Sequence, residues 1–293
     1  MPYPDELRLL IEDELEGLAF SRNGVTGGLV DAMRYSLLAG GKRIRPVLAL
    51  ATARAIGRDA RDLLPLAAAI ELIHTYSLIH DDLPAMDDDD MRRGRPTNHV
   101  AFGQDVAILA GDGLYAEAFR HVLTHQTGEP ADILAAVCEL AGATGVDGMV
   151  GGQYLDVGGI RLDDPDPARS LRRLHELKTG RLIGASVECV LLIAGMRRPA
   201  TTAYCDFAAE LGVLFQIVDD ILDVTGTDDT LGKPQGSDER HGKRTYVTEF
   251  GLEGARTLAE RSHRQARAWL AEAAPAGAPE LEQITDFIAT RTC

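Results

Sequence analysis

Six of the ten residues in the stretch 81–90, DDLPAMDDDD, are aspartates. Carboxylates spaced about 5 Å apart repel one another appreciably, so such density is costly unless a cation sits among them. A charge run alone is usually a solvated face. This one follows directly on the apolar stretch 63–79, so Asp81 and Asp82 fall at the end of a core helix. Pro84 then breaks that helix and lets Asp87 fold back toward Asp81. A second cluster lies in FQIVDDILDVTG, where Asp219 and Asp223 are i,i+4 neighbours, with Asp220 between them and Gln216 just before, on one side of a helix. One DDxxD motif on a helix face is weak evidence, but two on apolar helices are hard to dismiss. Oxygen donors without His or Cys partners favour Mg²⁺ over zinc, and Mg²⁺ commonly bridges carboxylates to phosphates. A calcium loop is excluded on spacing, because neither run supplies Gly at the sixth position and Glu at the twelfth.

The cations are as selective as the anions. Of 30 Lys and Arg residues only four are lysines: Lys42, Lys178, Lys233 and Lys243. They fall in GGKRIRP, LKTG, LGKPQG and HGKRTY, each punctuated by glycine. A chain that uses arginine wherever a generic positive charge serves has kept lysine where a compact ammonium must approach phosphate as a point charge. Arg43, Arg45, Arg92, Arg93 and Arg95 add cations beside two of these places, although Arg beside Asp is often a surface ion pair. His74 precedes Asp81 by seven residues, about 10 Å along the same helical face.

The elements that must carry these residues are helical. Apolar residues recur at helical spacing in the segments 63–83, 105–125, 131–157, 168–196, 201–225, 252–273 and 279–291. The first of these is apolar around most of its circumference, as a central core helix is. Val/Ile/Thr-rich alternation marking a sheet is absent, so the fold class is all-α. The stretches 86–103 and 226–243 read as loops, the second a candidate lid. At 293 residues with 45% hydrophobic content and no internal linker, the chain reads as a single domain over 1–293. A net charge of −15 argues against nucleic acid or an anionic membrane as partner. No stretch reads as a membrane span, and the four cysteines Cys138, Cys189, Cys205 and Cys293 have no metal-ligand spacing, so a cytoplasmic protein with reduced thiols is expected.

The motifs SLIHDDLPAMDDDDMRRGRPT, KTG and FQIVDDILDVTG…LGKPQGSD resemble those of the trans-isoprenyl diphosphate synthases (polyprenyl synthetases), especially the bacterial farnesyl diphosphate synthases, from GGKRIRP to the last helix. The resemblance implies a bundle of antiparallel helices around a deep central cavity, the isoprenoid synthase fold, usually as a homodimer. It implies that Asp81 and Asp87 bind two Mg²⁺ ions and Asp219 a third, supported by Asp82, Asp220 and Asp223. Arg92, Lys178 and Lys243, with Lys233 nearby, resemble ligands of an allylic diphosphate such as dimethylallyl or geranyl diphosphate. Thr179 and Gln216 resemble the groups that stabilise a developing carbocation. Lys42, Arg45, His74 and Arg93 resemble the isopentenyl diphosphate site. Val247 departs from the pattern, since many relatives have Pro there.

The implied chemistry is ionisation of the allylic diphosphate, condensation with isopentenyl diphosphate and loss of a proton. A terpene cyclase would carry an aspartate motif on an all-α fold but lack the GGKRIRP and MRRGRPT cations. A non-catalytic synthase subunit would lose one aspartate motif. Tyr76, five residues before Asp81, resembles the aromatic stopper of farnesyl synthases; geranylgeranyl synthases often have a smaller residue there, and Ser77 is the next position of interest. The helical wheel alone turns Tyr76 about 140° from Asp81, so without the resemblance it reads as a core tyrosine. Farnesyl diphosphate is the expected product, with geranylgeranyl or geranyl diphosphate as the alternatives.

Overall fold

The computed structural model describes residues 3–20, 24–158, 167–226 and 244–291. Helices α1 (Asp5–Gly17), α2 (Gly27–Leu37) and α3 (Ile44–Ala55) lead into α4 (Leu64–Asp81). A two-stranded hairpin, β1 (Met91–Arg92) and β2 (Arg95–Pro96), is followed by α5 (Asn98–Phe102), α6 (Gln104–His125), α7 (Pro130–Thr144) and α8 (Met149–Gly158). Next come α9 (Pro167–His175), a π-helical turn at Glu176–Gly180, α10 (Arg181–Ile193), α11 (Thr202–Thr225), α12 (Tyr246–Ala273) and α13 (Pro279–Thr290). The fold is an all-helical bundle, as the periodicity predicts.

The sequence reading of segment 86–103 as a loop is corrected in two places. Met91 pairs with Pro96 and Arg92 with Arg95, and the two central residues of the turn, Arg93 and Gly94, have φ of 53° and 72°. Positive φ at both centres is the geometry of a tight two-residue hairpin. Segments 131–157 and 168–196 are also interrupted, the first at residues 145–148 and the second by the π turn. α12 begins six residues earlier than expected, capped where the Thr245 hydroxyl accepts from the Thr248 N–H.

Helix α4 is central because its sequence leaves it no solvent face: ten of its residues from Leu66 to Ile79 are buried. It packs along α6, while α10 lies along α7 and α11 along α12. One charge is buried inside it. Glu71 receives Arg43 Nη1 at 2.6 Å, and Arg43 also donates to Glu12 at 2.8 Å and to the Leu37 carbonyl at 2.7 Å. Arg43 thus ties α1, α2 and α4 together at the start of α3. Removing one member of a buried network like this strands the others, at a cost of about 3–5 kcal/mol.

Two helical stretches, Ala60–Asp81 and Pro130–Val157, have the length and hydropathy of a membrane span, against the expectation of none. The first owes its hydropathy to its place in the core. The second spans the break between α7 and α8 and is only about one-third buried.

Candidate active site

A cavity of about 710 Å³ opens between α4, α8, the π turn and α11. Asp81 and Asp87 line one wall, and Asp219, Asp220 and Asp223 line the wall opposite in sequence. The chain folds back at Pro84 as expected: the Asp87 N–H donates to the Asp81 carbonyl at 2.9 Å, which brings the two aspartates side by side. Asp81 ends a helix whose dipole is negative there, so this wall favours a cation.

The other carboxylates are already engaged. Asp82 is 3% exposed and is held by Arg92, with Nε at 2.8 Å and Nη2 at 2.6 Å from one oxygen. It is drawn away from the cavity and acts on Arg92, which does line it. Burial raises the Asp82 pKa against the opposing pull of Arg92. Asp220, 1% exposed, accepts from Gln216 Nε2 at 2.8 Å and from the Tyr246 N–H at 2.7 Å. Gln216 Oε1 in turn accepts from the Thr179 hydroxyl at 3.1 Å. The relay fixes the Gln216 amide between the π turn and α11. Asp219 remains at the exposed rim, where its Oδ1 meets Arg291 Nη2 at 3.2 Å.

Arginines form the positive pole, with a histidine among them. Arg45 has no carboxylate within ion-pair distance among the described residues, and its Nε is buried without a partner. Burial depresses its pKa to about 10 despite Glu71 and Asp219. Burial also lowers His74 well below the ordinary imidazole range, aided by Arg45, Arg93, Arg92 and Arg43, so the ring is neutral. Arg93 donates to the Gly40 carbonyl and covers Gly41, where a Cβ would stand 2.8 Å from its Cζ. With φ of 123° as well, Gly41 is a position only glycine fills. An unmatched, desolvated guanidinium beside a neutral imidazole is a receptor for an anion.

The π turn presents Lys178 and Thr179 to the same cavity. Single π turns inside α-helices recur at functional sites, because the added residue turns side chains that a regular helix would bury. Lys178 Nζ donates to Asp156 Oδ2 of α8 at 2.6 Å. The two segments nearly touch. A Cβ on Gly152 would lie 2.2 Å from the Lys178 backbone nitrogen, so only glycine permits this approach.

A model of the polyprenyl synthetase family matches residues 28–284. The chain belongs to the polyprenyl synthetase family. This prenyltransferase is 48% identical over 234 residues to the farnesyl diphosphate synthase of Geobacillus stearothermophilus, an alignment covering 78% of this chain and 77% of that one. It is 44% identical over 265 residues to geranylgeranyl pyrophosphate synthase 9 of Arabidopsis thaliana, covering 89% and 73%. Among solved structures, the geranyltransferase of Helicobacter pylori complexed with magnesium and isoprenyl diphosphate superposes with a TM-score of 0.86 at 30% identity, covering 98% and 97%.

The prenyltransferase cavity gathers Arg45, His74, Tyr76, Ser77, Arg92 and Arg93 as the sequence expects. Lys42 is not among its lining residues: it is exposed, with its ammonium 5.4 Å over the Phe287 ring. Arg43 is a buried strut and Arg95 stacks 3.7 Å over Tyr35, so neither adds charge to the site. Lys233, Lys243 and the candidate lid from residue 227 onward lie outside the described residues. Val247 packs beside the small apolar cluster of Leu171, Ile217 and Tyr246.

Several residues escaped the motifs. Gln153 lines the cavity with both amide atoms buried and unpartnered, and His175 lines it with neither ring nitrogen bonded. Burial lowers His175 to about 4, although Asp156 pulls the other way. The signal for Gln153 and Asp156 was their i,i+3 spacing in GGQYLDVGG, two polar residues on an otherwise apolar helix. Phe215 carries Arg45 at 5.6 Å and Arg291 at 4.2 Å from its ring centroid, a pairing no spacing reveals.

Proposed function

We propose that this enzyme condenses isopentenyl diphosphate with an allylic diphosphate, dimethylallyl or geranyl, and releases farnesyl diphosphate. The observation that carries the reading is the juxtaposition in one cavity of anion-seeking Arg45, Arg92 and Arg93 with two aspartate walls. Two diphosphates need two such places, one purely cationic and one that shares its charge with metal. The donor set fits Mg²⁺: the ligands are carboxylates, and no trio of His, Cys, Asp or Glu is preassembled among the described residues. An ion there must complete its shell from substrate phosphates and water, the habit of Mg²⁺ rather than of a structural metal. Asp81 and Asp87 would hold two ions and Asp219, beside Asp223, a third. When bound, Mg²⁺ offsets the charge growing on the departing pyrophosphate.

The remaining steps belong to the chain's own side chains. Lys178, steadied by Asp156, faces the leaving group as a point charge. Thr179 and Gln216 hold fixed dipoles toward the cation left behind. The apolar lining of Met86, Met149, Val150, Leu174, Phe215 and Leu222 takes the prenyl chain and excludes water from the cation. His74 and His175 line the cavity, but burial makes both rings weak bases, so pyrophosphate takes the proton. Tyr76 closes the allylic pocket, about 7.5 Å down α4 from Asp81.

Exposed Ile108 and Leu109 on α6 and Leu134 on α7 support a homodimer. The cysteine pattern supports a cytoplasmic location. The geranylgeranyl reading is kept alive by the Arabidopsis relative. Labelled isopentenyl diphosphate with dimethylallyl diphosphate tests the condensation and the product length by product chromatography. Farnesyl product is expected; geranylgeranyl product overturns the chain length, and no condensation overturns the function.

A further inference from the structure

The Tyr76 ring is held by other rings. Its hydroxyl makes no hydrogen bond among the described residues, and it lies between His80 at 5.1 Å and Tyr115 at 4.9 Å, tilted 81° and 61° to them. These are edge-to-face contacts, favourable but weak restraints on a side-chain torsion. What makes them firm is how the two flanking rings are themselves anchored. His80 Nε2 lies 3.0 Å from the Ile108 carbonyl of α6, and its edge fills the space where Gly111 lacks a Cβ. Tyr115, on α6, meets Phe119 edge-on at 5.2 Å and places its hydroxyl 3.2 Å from Thr144 Oγ1 at the end of α7.

Thr144 is fully buried, and its hydroxyl also lies 3.0 Å from the Leu140 carbonyl and 3.3 Å from that of Ala141. With its single proton turned to those carbonyls, Thr144 accepts from Tyr115. Tyr115 does not line the cavity; it stands behind Tyr76.

We propose that the Tyr115–Thr144 hydrogen bond is a product-length determinant that never touches substrate: it pins Tyr115, which holds Tyr76 across the end of the allylic pocket. This rests on the reading of Tyr76 as the pocket's end. Tyr115 and Thr144 are positioning residues. With the bond intact, the growing chain meets a fixed ring; with it removed, Tyr115 gains freedom and Tyr76 yields to a longer chain.

The test measures product distribution and thermal stability for Tyr76→Ala, Tyr115→Phe, Thr144→Val, Thr144→Ser and the Tyr115→Phe/Thr144→Val pair. Tyr115→Phe keeps the ring and loses only its hydroxyl; Thr144→Val keeps the shape and loses the hydroxyl that meets both Tyr115 and the Leu140 carbonyl. Each should raise the ratio of twenty-carbon to fifteen-carbon product about two- to ten-fold, the span of one neutral hydrogen bond. The pair should do no more than either alone. Thr144→Ser should restore the wild-type ratio, which a merely structural role for the methyl group would not. If Tyr76→Ala lengthens the product but Tyr115→Phe and Thr144→Val leave it unchanged, the brace is overturned alone. If Tyr76→Ala leaves the product unchanged, the pocket-end reading falls and this inference with it.

Discussion

Replacing Gly152 with alanine adds one methyl group and should disable the enzyme from outside its list of reactive groups. The new Cβ would lie 2.2 Å from the Lys178 nitrogen and 2.5 Å from its Cα, against an ordinary contact limit of 3.4 Å. Both obstacles are backbone, so no rotamer relieves them, and α8 must retreat from the π turn by about 1.2 Å. Asp156 travels with α8 and holds Lys178 at 2.6 Å, so that bond breaks or drags the ammonium off its line. Misplacing a catalytic group by about 1 Å can cost roughly 10²-fold in rate. Overpacking adds a destabilisation of about 1–3 kcal/mol, which for a chain of this size lowers Tm by a few degrees. Steady-state kinetics with thermal unfolding would show a fall in kcat near 10²-fold in a folded protein. Gly142→Ala is the matched control: it sits in α7 with nothing within 4 Å of the added methyl, so turnover should hold and stability should rise by up to about 1 kcal/mol. Wild-type kcat and Tm in Gly152→Ala would refute the close approach as the device that positions Lys178.

Activity should vanish with EDTA and return with Mg²⁺, and Asp81→Ala or Asp219→Ala should cut kcat by several orders of magnitude with Tm largely unchanged, because relieved repulsion offsets what is lost, for Asp219 an exposed pair with Arg291; near-normal turnover in either would sink the metal assignment. Lys178→Arg should impair catalysis although charge is kept, whereas Arg264→Lys, with a side chain 71% exposed and 3.9 Å from Glu260, should be silent; equal, negligible effects would make the scarcity of lysine a coincidence. Burial holds His175 at about 4 in the fold, below the 6.5 of a free imidazole. On acidification the unfolded chain therefore binds this proton first, and stability is intact above about pH 6.5 and lost progressively toward pH 4. Urea titrations across that window should show a shallower loss in His175→Phe, which keeps the stack on Tyr246; an identical slope would remove His175 from the acid response.

The aspartate clusters were legible because each sits on an apolar helix whose periodicity fixes its face, and Pro84 told where the chain turns back. Helix α4 was legible for the same reason. The π turn was not, because the apolar pattern looks alike on both of its sides and the extra residue hides in the phase between them. Nor could the lysine count say which lysines face inward. Lys178 does so because α9 and α10 are out of phase by that residue. Lys42 does not, because the Arg43 ion pair to Glu71 draws the neighbouring side chain inward and sets the loop's hand, with φ of 53° at Arg43. The resemblance gives Asp82 and Asp220 as supports of the metal ligands; which side chains each one meets depends on partners 10 and 26 residues away in the sequence.

The π turn at Glu176–Gly180 also separates two properties that usually travel together. Deleting one residue inside it would return a regular α-helix, which is better hydrogen-bonded and no worse for the apolar pattern on either flank. It would also rotate α9 against α10 by about 100°. The flank that keeps its packing would carry Lys178 and Thr179 out of the cavity, or the other flank would lose its seat against α11. Alignments that place a gap in this segment would therefore join chains that fold alike and yet do not share a catalytic wall. A single-residue deletion here is a more telling mark of lost function than any substitution among its neighbours.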